Sequence, residues 1–400
     1  MLTYKIVLRK SNRGKMKKII IIGAGFAGLS AAKRLSKCSL SLEVTLFDRI
    51  EHPCFLPLIP DCIGRGINPE LLASDIGRYF RQLKIKFIKE EVKTIYVMAK
   101  QVCTATATYL YDFLIVASGS QTNFFSNQDA QRYGFPLNSV TDVEKVIKAL
   151  SENKFENIII CGGGYTGIET AANFWLYFKK KDLIKKILIV ERLPKILGSF
   201  QDCLRVYVEE NLKKMQIEVL TNTTIENIQE NKVTLSSGIV FANPMLIWVA
   251  GVRTADYIQK LEVDKNPQGR IVVDGYLRFN QYCFAAGDAA FFAEGNDFLR
   301  MAVQFAIKQG QHAAKNIERS IKNIPLERFR PLDLGYIIPM ANNKSCGRVF
   351  GLHIKGFFPT VLHFVMCVFR LPGFRNKTVI ISSLIGNVPN TKKVQGGAQC

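Results

Sequence analysis

The sequence predicts an α/β fold with two doubly wound units, and three observations carry that prediction. A β-branched run feeds a glycine-rich turn at Gly23, Gly25 and Gly28. The same arrangement returns at Gly162, Gly164 and Gly167. Each turn leads through a helical pattern to a second apolar run that ends on an acid, Asp48 in the first unit and Glu191 in the second. Strand, turn, helix and parallel strand is the unit from which open α/β sheets are wound.

In chain order, Lys18-Ile19-Ile20-Ile21-Ile22 reads as a strand buried on both faces. The turn from Gly23 to Gly28 follows at once, then a helix over Leu29–Leu35 and a strand over Glu43–Asp48. The spacing is the Rossmann-like dinucleotide fingerprint, and each residue type has a reason. The first glycine makes the tight turn, the second lets backbone approach a pyrophosphate, and the third lets helix and strand pack closely. The helix N-terminus then faces the phosphates, and the acid accepts from ribose hydroxyls. Tyr111–Gly119 is a further strand, ending in Ser118-Gly119. The second copy has a strand at Asn157–Cys161, glycines 162, 164 and 167, a helix from Ile168 and a strand over Lys185–Glu191. Met245–Gly251 and Tyr282–Ala286 are strands of the same kind, the latter running into Gly287-Asp288. One such glycine motif is weak evidence. Two, each with strand, helix and terminal acid in place, are not a chance glycine-rich turn. Either two pyridine-type dinucleotides or one FAD and one NAD(P)H would satisfy the pair.

Composition narrows the class without choosing a partner. The chain is 48% hydrophobic and 22% charged, the balance of a globular protein with cores. Its net charge of +21 suits nucleic acid, anionic lipid or an anionic ligand equally. The ten cysteines form no C-x-x-C pair and there are four histidines, so no metal site is expected and the thiols read as free. Met1–Lys18 carries seven Lys/Arg and no acid, and lacks the apolar core of a secretory signal, so it reads as a basic tail or a start misplaced ahead of Met16, with a mitochondrial presequence as the alternative. Residues 334–400 hold eight Lys/Arg and no acid. Within them Gly356–Leu371 is apolar but short for a membrane span, with His363 and Arg370 inside it and Lys355, Arg375 and Lys377 around it. An interfacial amphipathic helix on anionic lipid is expected there, against the alternative of a packing helix in the first domain.

Taken in order, these motifs resemble the two-dinucleotide-binding flavoproteins over roughly residues 18–320. The resemblance implies FAD at the first site, NAD(P)H at the second, and Asp288 against the ribityl chain and phosphates of FAD. Within that group the chain resembles the type II NADH dehydrogenases. Phe55-Leu-Pro57-Leu-Ile is similar to their Phe-x-Pro-Leu-Leu near the flavin, and Gly167-Ile-Glu169 to their Gly-Val-Glu, whose acid lies near the nicotinamide. Gly269–Asp274 with Leu277-Arg278 is similar to the segment before their Gly-Asp. Ala302-Val303-Gln304-Phe-Ala-Ile-Lys308-Gln309-Gly310 resembles the helix that lines their quinone site, with Lys308 and Val303 as departures.

The resemblance thus implies Glu169 and Gln304 as catalytic residues and FAD and NADH as cofactors; Lys308, four residues past Gln304 and on the same helix face, is expected to join them at the acceptor. The cofactor contacts it implies are Gly23, Gly25, Gly28, Asp48, Pro57, Val92, Ser118, Gly119, Gly162, Gly164, Gly167, Glu191, Gly251, Asp288, Ala302, Val303 and Lys377. Its partners are a quinone, an anionic lipid surface and a second copy in a homodimer, with no nucleic acid. A peripheral place on the cytoplasmic face of the membrane and electron transfer without proton pumping follow. Glu191 favours NADH over NADPH, with Arg192 beside it softening the preference. The expected domains are 17–119 and 251–333 for FAD, 120–250 for NADH, and 334–400 for the membrane. Two other chemistries compete. Cys54 and Cys62 are too far apart for the redox pair of many such flavoproteins, but Cys54 alone could serve a disulfide or peroxide reductase. Separated cysteines, here Cys161 and Cys346, are the mark of sulfide:quinone oxidoreductases.

Overall fold

The computed structural model describes residues 16–73, 80–81, 83–294, 297–371 and 374–386. The basic tail up to Lys15 lies outside them. The chain divides into two compact units, one of residues 1–50, 77–119 and 256–330, the other of residues 51–76, 120–255 and 331–400.

The first unit is organised by a six-stranded sheet. Its order is Arg278–Asn280, Cys283–Ala285, Phe113–Val116, Lys17–Ile22, Leu42–Asp48, Lys86–Lys89. All neighbours are parallel except the first pair. Ile19 to Ile22 are buried, as the continuous isoleucine run demands. The helix Phe26–Leu35 buries Ala27, Gly28, Ala31, Ala32 and Leu35. Its small residues admit the long helix Val303–Ile321 at close range: a Cβ on Gly310 would stand 2.0 Å from the Ala27 carbonyl oxygen.

The second unit has a parallel four-stranded sheet ordered Ile217–Leu220, Lys186–Val190, Asn157–Cys161, Pro244–Trp248. The helix Tyr165–Lys180 starts three residues before the expected Ile168, directly at the glycine turn. Residues 334–400, the expected membrane region, include a sheet among their described residues. An antiparallel sheet of Gly335–Ile338, Ser345–Val349 and Leu352–Gly356 comes first, then helices Phe357–Arg370 and Phe374–Gly386.

The expected FAD domain, 17–119, is interrupted: residues 51–76 pack with the second unit. The helix Ile59–Gly64 lies against Tyr165–Lys180 so closely that a Cβ on Gly64 would be 2.4 Å from Asn173 Oδ1. With all six residues buried, Asp61 among them, this short segment carries no periodicity that says which unit it joins.

Candidate nucleotide-binding sites

The two glycine turns are built alike. Gly23 and Gly162 have φ of +104° and +115°, the left-handed region that glycine alone adopts freely. A Cβ on Gly28 would stand 1.8 Å from the Gly23 carbonyl oxygen, and one on Gly167 would stand 1.9 Å from that of Gly162. The third glycine of each motif is therefore required by packing. The second is different: a Cβ on Gly25 or Gly164 would meet no atom within 4 Å. These positions cap helices Phe26–Leu35 and Tyr165–Lys180 without a side-chain cap or an acid in the first turn. Uncapped N–H groups at a helix start, beside backbone left bare, fit a pyrophosphate.

Each terminal acid is already tied to its turn. Asp48 accepts from the Ala24 N–H at 2.6 Å and the Ile50 N–H at 2.9 Å. Glu191 accepts from the Gly163 N–H at 2.7 Å and the Leu193 N–H at 2.8 Å. Both carboxylates keep lone pairs for a ribose while they hold the turn in shape.

Beside the first turn, the first unit has a hollow lined by Arg270, Gly287, Asp288, Arg300, Ala302 and Gln309, among others. Gly287, at φ +70°, donates its N–H to the buried Gln309 side chain at 2.8 Å. Arg270 donates from Nε to the Asp288 carbonyl at 3.1 Å. Two guanidinium groups at this hollow suit an anionic ligand. Ser118 accepts from the Tyr257 hydroxyl at 2.8 Å, and Gly119 has φ +68°. Val92 is buried. Ala302 caps the helix that starts at Val303; Gln304 is partly buried, and Lys308 is exposed. Gln309 is a residue for which the sequence offered only similarity; its bond to Gly287 gives it a mechanical role.

In the second unit, Pro57 lies in the short turn Leu56–Leu58, and Gly251 takes φ +143°. Lys377 donates to the Phe369 carbonyl at 3.0 Å and stands over the Phe369 ring. Glu169 is buried in a polar cluster the sequence did not announce. One carboxylate oxygen each of Asp61 and Glu169 and a ring nitrogen of His363 lie within 4.8 Å of one another. Arg65 donates from Nε to Asp61 Oδ1 at 3.0 Å, and its positive charge opposes a cation there.

The three cysteines singled out for chemistry, Cys54, Cys161 and Cys346, behave as packing thiols. Burial, with Asp142 adding to it, pushes the Cys54 thiol up to about 12. Burial does the same at Cys161, with Glu191, and at Cys346, each up to about 12. None of these three is prepared as a thiolate nucleophile.

The helix Phe357–Arg370 is two-faced. Pro359, Thr360, His363 and Cys367 are buried, while Phe357, Phe358, Val361, Val365 and Phe369 are exposed. Phe350 and Leu352, in the hairpin before it, are exposed as well. Among the described residues no helix is long and apolar enough to cross a membrane.

Residues 17–315 match the pyridine nucleotide-disulphide oxidoreductase family. A Type II NADH:quinone oxidoreductase of Staphylococcus saprophyticus is 28% identical over 392 residues, covering 89% of this chain and 96% of that protein. The protein of the same name in Staphylococcus aureus is 27% identical over 376 residues, covering 85% and 91%. The fold is similar to that of NDH2 from Plasmodium falciparum in complex with NADH, at a TM-score of 0.82 and 17% identity over 93% of this chain and 98% of that one. It is also similar to the sulfide:quinone oxidoreductase of Aquifex aeolicus, at 0.77 and 16% over 91% and 95%. At such identities both structures speak for the fold.

Proposed function

The chain belongs to the pyridine nucleotide-disulphide oxidoreductase family, and from that premise we propose that it is an FAD-dependent NADH:quinone oxidoreductase. It works peripherally on the cytoplasmic face of a membrane, without proton pumping. The carrying observation is the pair of glycine turns whose second glycine is bare in both and whose acid is tied to the turn in both. Two seats of one design ask for two dinucleotides. FAD belongs to the first turn, with Asp48 and the Asp288 hollow; NADH belongs to the second, with Glu191.

FAD, when bound, supplies the two-electron acceptor between nicotinamide and quinone. The protein supplies the rest. The turns at Gly23 and Gly162 hold pyrophosphates on backbone N–H groups, and Gln309 fixes Gly287 so that Asp288 is presented to the hollow. Gln304 and Lys308, four residues apart on one helix, share a face and are assigned to the acceptor. Glu169 is assigned to proton handling. The names of the relatives support NADH and quinone as the two substrates. The raised thiols of Cys54, Cys161 and Cys346 disfavour the thiol and sulfide chemistries. The exposed apolar face of Phe357–Arg370, in an acid-free stretch, supports the lipid surface from which a hydrophobic quinone would be drawn. A homodimer completes the proposal, and sedimentation of the purified protein checks it.

The test is anaerobic. NADH should bleach the flavin band of the purified yellow protein, and quinone analogues should restore it faster than disulfide, peroxide or sulfide-derived acceptors. A colourless protein, or recovery with disulfide and none with quinone, would overturn the reading.

A further inference from the structure

Cys203 is the only exposed cysteine among the described residues. It stands second in the helix Asp202–Lys214, which packs on the strand Ser345–Val349 within the second unit. Residues four apart on a helix share a face and lie about 6 Å apart along it. Residues two apart on a strand share a face and lie about 6.8 Å apart. Cys203 and Tyr207 make such a pair on the helix, and His353 and Lys355 make one on the strand Leu352–Gly356. The spacings nearly match, and the pairs meet in register. Cys203 Sγ lies 3.7 Å from His353 Nδ1, and Lys355 Nζ stands 5.2 Å from the centre of the Tyr207 ring.

Hydrogen bonding decides what the imidazole can do. His353 Nε2 is bonded to the Gln201 side-chain carbonyl oxygen. Such an oxygen only accepts, so Nε2 carries the ring proton. In the neutral ring Nδ1 then keeps its lone pair, which faces the thiol, and Cys203 donates its S–H there. Gln201 is the residue before the helix, and its side chain caps no helix N–H. The acid beside it, Asp202, is paired with Arg205 at 2.8 Å. Nucleophile, base and orienting carbonyl thus stand in line, the arrangement that activates a thiol for attack. Cys346, under the same helix, has no such part. It is 0% exposed and bonded to the Leu204 carbonyl at 3.9 Å; burial, with Cys203 adding to it and Lys355 opposing, pushes its thiol up to about 12.

We propose that Cys203, with His353 as its general base and Gln201 orienting the ring, is a modification site that takes low-molecular-weight disulfides. The Cys203 sulfur attacks one sulfur of the disulfide while His353 Nδ1 takes the thiol proton. A new sulfur–sulfur bond forms on Cys203 and the disulfide's own bond breaks. The departing sulfur leaves with the electron pair and then receives the proton from His353. One mixed disulfide on the protein and one small thiol result, and the disulfide is itself the oxidant. NADH and flavin take no part, so the site stands independently of the reading in the preceding section.

The experiment gives oxidised glutathione to the FAD-loaded protein without NADH, and locates and times the adduct by mass spectrometry of its peptides. The adduct should form first on Cys203, and the Cys203→Ser protein should lack it there. General-base help is worth about 10²–10⁴-fold, so His353→Gln should slow the reaction at least about tenfold. Gln201→Ala should slow it several-fold, and Gln201→Glu, which keeps an accepting oxygen, should retain at least the wild-type rate. These side chains are exposed, so Tm should hold in every variant. The 15N spectrum of His353 should show the proton on Nε2 and none on Nδ1. An adduct that forms first on another cysteine overturns the proposal. So does an unchanged rate in His353→Gln, which would make Cys203 a merely accessible thiol, or a neutral ring protonated on Nδ1 instead of Nε2.

Discussion

Gly164→Ala separates what the second glycine turn does for the fold from what it does for a ligand. Gly164 sits at φ −79° and ψ −173°, a conformation alanine adopts, and the added methyl would meet no protein atom within 4 Å. The fold should accept it, with Tm unchanged or slightly raised by the ~0.4–1 kcal/mol that a compatible Gly→Ala gives through the unfolded chain. A pyrophosphate seated on the turn would meet the methyl. Overpacking a close contact costs about 1–3 kcal/mol, which is roughly a 5- to 150-fold loss of affinity. Gly167→Ala is the counterpart. Its methyl would stand 1.9 Å from the Gly162 carbonyl oxygen, where a carbon–oxygen contact needs about 3.3 Å. That variant must lose stability as well as NADH. The assay is NADH titration of the flavin-loaded protein, with a melting curve for each variant. Wild-type NADH affinity in a fully folded Gly164→Ala would refute the assignment of the turn as the pyrophosphate seat.

Three further outcomes follow from the same structure. Glu191→Ser should narrow the preference for NADH over NADPH, read as the ratio of kcat/KM values; because Glu191 also anchors Gly163, both cofactors should bind more weakly as well. Val361→Asp with Val365→Asp places two charges on the exposed face of Phe357–Arg370. Burying each valine contributes ~1.5–3 kcal/mol, so flotation with anionic liposomes should fall tenfold or more; undiminished flotation would put the contact elsewhere. His363 is lowered from 6.5 to about 4 by burial and by Arg65. Its contribution to stability is therefore present above about pH 6.5 and is lost as pH falls toward 4, since the unfolded chain takes up the proton first. His363→Gln should flatten the fall of Tm across that window relative to the wild type, and parallel curves would contradict the burial.

What the sequence discloses is what is local. The glycine turns, their acids and the isoleucine run lie within about thirty residues of one another, and backbone sterics alone select them. Both faces of Phe357–Arg370 are likewise readable, because helical spacing separates Pro359, His363 and Cys367 from Val361, Val365 and Phe369. The Glu169 cluster is not. Asp61 and Arg65 come from a six-residue helix and its end, and His363 from a helix nearly three hundred residues on. No spacing rule links them. The departure of residues 51–76 from the expected first domain is of the same kind, decided by Gly64 against Asn173 and not by any periodicity. Cys54 shows the converse: its position suggested reactivity, and only its surroundings show a thiol held up by burial.

The strand order of the first unit also sets a timetable for synthesis. Phe113–Val116 is buried throughout, and its neighbour on one side is Cys283–Ala285. At translation rates of about 5–20 residues per second, the ribosome needs on the order of ten to thirty seconds to make the chain between them. For that interval one edge of an apolar parallel strand has no native partner. The nascent protein is then open to wrong pairing, and to chaperones that recognise such edges. The intervening second sheet, Asn157 to Trp248, has all its strands in hand before the first can close. A ribosome stalled before residue 283 should therefore display a folded second sheet on an unfinished first one.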